Sequence, residues 1–222
     1  METRELIASL ARDAGPVEPL PAPGRRATAW LAGAALYVAA FAVLAFLRNP
    51  AGPATEPLYW LQRGTSALLA LTAAVAAFRS VVPGRTPAVG WPLAAAAAWA
   101  VTVIGGTVHD VRSLGTLGLA GQTDWPCVVS LSVGGGLLWT ALWSMLTRGA
   151  PLTPGLTAAL GGLAAVAVAN IGACVLQPHA FNSVILVWHG LTAAAVIALL
   201  TAIGGRMFTW RSVLQRALTA RR

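Results

Sequence analysis

A chain of 222 residues and 22.8 kDa is long enough for one or two soluble domains, yet only 10% of it is charged, 57% is hydrophobic, and its mean hydropathy is +0.70. A soluble domain needs roughly 25% charged residues to wet its surface, so lipid is the solvent for most of this chain. Two cysteines exclude a disulfide-rich scaffold. The formal charge of +8 argues for nucleic acid only until its placement is read, and that placement follows the membrane instead.

The chain opens with a short amphipathic pattern over residues 1–14. On a helical wheel Thr3, Leu6, Ile7, Leu10 and Ala11 share one arc, opposed by Arg4, Glu5, Ser9, Arg12 and Asp13. So short a helix is marginal by itself in water. Its polar face mixes both signs, whereas surface-seeking helices favour basic faces. It is therefore predicted to dock on a protein partner, with the inner leaflet or disorder as the alternatives. Residues 15–24 follow, with four prolines in ten positions, and read as an extended polyproline spacer in which Val17 and Leu20 are candidate anchors.

Apolar runs then fall at 29–47, 58–78, 88–108, 127–146, 155–176 and 183–204, each near the ~20 residues that cross a bilayer core. The first is too long for a signal-peptide core and is read as a retained helix. Six crossings leave both termini on one side. With that side inside, the inner segments hold twelve of the fifteen arginines, and only Arg48, Arg63 and Arg112 are outside. This positive-inside bias predicts cytoplasmic termini. Trp30, Trp60, Trp91 and Trp125 sit near span ends, as an aromatic belt requires. The expected fold is all-α and polytopic, with short loops: a cytoplasmic segment 1–28, a six-helix transmembrane domain 29–205, and a basic cytoplasmic tail 206–222 resting on anionic lipid.

The spans carry no central Asp, Glu, Arg or Lys, which argues against a proton- or ion-coupled pump. With HExxH, GxSxG, Walker-type and CxxC patterns also missing, no catalytic residue and no resident cofactor is predicted, and the chain is not read as an enzyme. Chemistry gathers toward the outer face, where Cys127, Cys174, His109, His179 and His189 map, with Asp110 and Asp124 beside them. Cys127 and Cys174 are candidates for a disulfide on that oxidising side. Thiolate and imidazole together equally suit transient binding of zinc, cadmium or copper, with His179, His189 and His109 as candidate ligands. The bland alternative is packing, since cysteine is a good small apolar residue for a membrane helix.

Leu6 to Leu10 with Asp13, Pro16-Val17 and Pro19-Leu20-Pro21, the loops Pro83-Gly84-Arg85 and Arg148-Gly149-Ala150-Pro151, Val187-Trp188-His189-Gly190, and two lone cysteines at the outer ends of spans four and five run over most of the chain. This set resembles the NrsF-type family of membrane anti-sigma factors. The resemblance implies a bacterial inner-membrane protein whose N-terminal segment holds an extracytoplasmic-function sigma factor inactive, without touching nucleic acid itself. It also implies paired cysteines that respond to metal or oxidative stress. Leu6, Ile7, Leu10, Asp13, Val17 and Leu20 would then bind the sigma factor. A small transporter or a membrane thiol-redox protein is the alternative from another class.

Overall fold

The computed structural model describes residues 3–13, 20–50, 56–86, 88–119, 124–149, 151–177 and 181–207. These are mostly helical, with no strand among the described residues. After α1 (Thr3–Asp13) come α2 (Pro23–Arg48), α3 (Pro57–Ser80), α4 (Gly90–Leu114), α5 (Trp125–Leu146) and α6 (Pro154–Leu176). The last helix is built from α7 (Asn182–Val184), a π-helical turn (Ile185–His189) and α8 (Gly190–Met207). Six of these segments are long and apolar enough to cross a membrane, matching the six expected runs.

Proline opens four of the spans, at the first or second position of α2, α3, α5 and α6. The missing N–H costs nothing there, because the first turn has no partner for it. Helix α4 ends where Gly115 takes up a left-handed φ of 69° and donates its N–H to Val111 O.

Helix α6 is the centre of the bundle, with α2, α3, α5 and α8 packed around it. Its sequence explains why. Hydrocarbon gives no hydrophobic drive between helices, so association rests on close backbone approach and interhelical hydrogen bonds. A Cβ added at Gly161 would meet Leu142 Cδ2 at 2.6 Å, and one at Gly172 would meet Tyr37 Cε1 at 2.9 Å. Polar pins cross other seams of the bundle. Ser66 Oγ donates to Ala167 O at 3.0 Å, Ser80 Oγ lies 2.8 Å from Thr157 Oγ1, and Trp30 Nε1 donates to Leu138 O at 3.2 Å. Each such bond contributes on average about 0.6 kcal/mol in a membrane bundle. Leu36, Leu47, Trp91, Val101, Leu137 and Leu191 are exposed on the outside, where acyl chains solvate them.

Three charges lie deeper than composition suggested. Helix α2 starts at Pro23 rather than near 29, so Arg26 is in its first turn and buried. Its guanidinium donates to Met145 O at the end of α5 and lies 5.0 Å above the Phe78 ring. Arg63, counted among the outer charges, is inside α3 and buried. Asp110 is buried within α4, which runs past residue 108 to Leu114.

Candidate functional site

Helix α5 begins at Trp125 with Pro126 in its first turn, and this start turns Cys127 inward to 1% exposure. Helix α6 ends just beyond Cys174, which is fully buried. One turn earlier on the same face is Asn170, the single amide in this otherwise apolar helix. The π turn brings in the third group. The N–H of Gly190 reaches back five residues to Ile185 O, so one extra residue is accommodated. Such a bulge re-aims the side chains around it, and π turns of this kind recur at functional sites. Here it carries His189, 1% exposed, into the space between α5 and α6.

The imidazole is the hub. Its Nδ1 donates to Asn170 Oδ1 across 2.7 Å and lies 3.6 Å from Cys174 Sγ. Its Nε2 lies 3.4 Å from Asp124 Oδ2. Asp124, Cys127 and His189 bring one ligand atom each within 4.8 Å of one another. Cys127 Sγ also donates to Gln177 Oε1 at 3.4 Å, and no disulfide joins the two cysteines. Asn170 passes the chain of bonds onward, Nδ2 to Ser66 Oγ at 3.3 Å. With Nδ1 held by an amide oxygen, Nε2 is the ring nitrogen that faces the carboxylate and Cys127, and it could ligate a cation on giving up its proton; second-shell partners orient metal-binding histidines in this way.

A second polar knot steadies the segment ahead of the π turn. Asp110 Oδ2 accepts the backbone N–H of Asn182 at 2.7 Å and its Nδ2 at 3.0 Å. A carboxylate there complements the helix N-terminus. Asn182 Oδ1 accepts from Gln62 Nε2 at 2.7 Å, and Ser183 Oγ donates to Leu117 O. Gly106 lies beneath, and a Cβ there would meet Asn182 Cγ at 2.6 Å. Because two bonds hold that amide and a third holds its backbone N–H, Gly106→Ala is expected to destabilise the protein by about 1–3 kcal/mol through overpacking. Thermal melting of the purified protein checks this, and an unchanged midpoint would mean that the Asn182 knot yields.

The structure brings together Cys127, Cys174 and His189 of the sequence candidates. It does not bring in His109, which is exposed on α4 outside the cluster, although the sequence offered it as a metal ligand. Facing outward next to the inward Asp110, it is on the wrong side of its helix. His179 lies outside the described residues. Among the partner-binding candidates, Ile7 and Leu20 are exposed, while Val17 and the side chains of Leu6, Leu10 and Asp13 lie outside the described part. Asn170 and Gln177 were missed. A lone amide four residues before a cysteine in an apolar helix was the available signal for Asn170.

Fold and site define a six-helix protein suited to a membrane, with a thiol–imidazole–carboxylate cluster buried at one end of its bundle. The chain belongs to the family described as negative regulator of sigma F, which it matches over residues 10–210, and membership makes it a negative regulator of a sigma factor. No curated relative and no solved structure matches it.

Proposed function

We propose that this protein is an inner-membrane anti-sigma factor with cytoplasmic termini. It holds an extracytoplasmic-function sigma factor through residues 1–28 and releases it when a thiol-seeking signal reaches the Asp124–Cys127–His189 cluster. The observation that carries the reading is the placement of that cluster relative to the N-terminal segment. Helix α5 bears Cys127 in its first turn, and Met145 O near its other end accepts Arg26 from the first turn of α2. Its 22 residues span about 33 Å at 1.5 Å per residue. The N-terminal segment thus enters the bundle at the end opposite the thiols, and one helix joins the two.

The geometry favours a soft cation over a disulfide as the signal. Asp124, Cys127 and His189 supply three donors of mixed type within 4.8 Å, a set that suits zinc or cadmium. Cys174, on the other edge of the ring, orients the imidazole. Binding displaces the Cys127 proton, since thiolate is the ligand. Closing three donors on a cation pulls the start of α5 against the π turn and biases the bundle between two packings. The N-terminal segment then loses its affinity for the sigma factor.

The direct test is fractionation. Cells making the full chain and its sigma factor should retain that sigma factor in the membrane fraction and release it to the soluble fraction after cadmium. A sigma factor that stays soluble before stress would sink the proposal.

A further inference from the structure

Arg63 presents a different problem, away from the thiol cluster. It is only 8% exposed, and its guanidinium carbon lies 4.3 Å above the Tyr59 ring. Its Nε is buried with no hydrogen-bond partner, and no carboxylate pairs with it among the described residues. Six residues into α3, it is about 9 Å below the start of the helix, one turn beneath Trp60. A buried charge without a counter-charge is strongly unfavourable, and an ionisable group within a membrane helix marks a functional site by default.

The guanidinium borders a groove between α2 and α3. The groove has a volume of about 570 Å³ and is floored by Val168 and Ile171 of α6. Arg63 is the one charged residue among its lining side chains; the rest of the wall is apolar, formed by residues such as Ala34, Val38 and Ala70. The volume is within the ~300–1,000 Å³ of ligand sites. We infer that this groove binds an anionic phospholipid, its phosphate on Arg63 and an acyl chain along the α2–α3 seam. The planar fork of a guanidinium matches phosphate oxygens. A zwitterionic lipid would bring its own ammonium and leave the site with a net positive charge. Trp60 at the mouth is placed where indoles meet headgroups. The seam belongs to α2, so the bound lipid holds the helix that follows the N-terminal segment.

The test uses the full-length protein in phosphatidylcholine nanodiscs, with and without phosphatidylglycerol, and also lipid extraction from protein purified directly from membranes. Wild type should retain phosphatidylglycerol through delipidating washes and melt at higher temperature when it is present. Arg63→Gln should lower the retained lipid at least about tenfold and abolish the melting response, and Arg63→Lys should keep part of both. Gly64→Leu puts a side chain into the groove at a position where an added Cβ meets nothing within 4 Å, and should lose the lipid while remaining folded. Unchanged phosphatidylglycerol retention in Arg63→Gln and Gly64→Leu overturns the inference. So does a retained molecule that is phosphatidylcholine or a free fatty acid. Sigma-factor retention, measured separately, reports on the anti-sigma reading alone.

Discussion

Cys127→Ser is expected to abolish cadmium-induced release of the sigma factor and the stoichiometric metal retained by the purified protein. A serine hydroxyl is a hard, protonated substitute for a thiolate, and the remaining Asp124 and His189 make a poor soft-metal site. Cys174→Ser should act differently. Its sulfur lies 3.6 Å from the Nδ1 edge of His189, away from the carboxylate, so it orients a ligand and is not one of the three. Loss of such a partner weakens metal binding by about 10–100-fold, so induction persists at higher cadmium. His189→Ala should match Cys127→Ser. A Cys127–Cys174 disulfide switch predicts another pattern, in which both serine variants fail equally and His189→Ala keeps its response. Metal content by mass spectrometry and a sigma-dependent reporter distinguish them. Normal cadmium induction in the double serine variant would end the sensing proposal while leaving the family assignment intact.

Leu6→Asp combined with Leu10→Asp is expected to release the sigma factor constitutively. Helix α1 forms over Thr3–Asp13, where the apolar spacing requires it, and Ile7 is 61% exposed with no bundle cover. On the helical wheel Leu6 and Leu10 share one arc with Ile7. Burying a leucine contributes about 1.5–3 kcal/mol, so losing two weakens binding by at least about a hundredfold, before any cost of burying carboxylates. A pull-down with the full-length variant in detergent and the reporter should agree, at unchanged membrane levels of the protein. Continued repression by this variant would place the docking surface elsewhere.

The six spans were legible because bilayer thickness acts on the chain in one dimension: a run of about 20 apolar residues announces itself without knowledge of its neighbours. The α1 pattern is local in the same way. The membership of the site is not. Asp124 and Cys127 open α5, Asn170 and Cys174 close α6, and His189 follows α7, so their meeting depends on which helices are neighbours around α6. Hydropathy is blind to that order, because every span is equally content in lipid; small residues and a few polar pins choose among the arrangements.

By itself, then, the sequence determined the number and approximate position of the spans and the amphipathic first helix. Tertiary structure alone separated His189, turned inward by a single extra residue in a π turn, from His109, turned outward on a regular helix. It also placed Arg26 against Met145 O and left Arg63 beside an apolar groove. The physical reason is rotation about the helix axis. Length and hydropathy say how far a helix extends through the bilayer, while the azimuth of each side chain is set by contacts with helices distant in the chain.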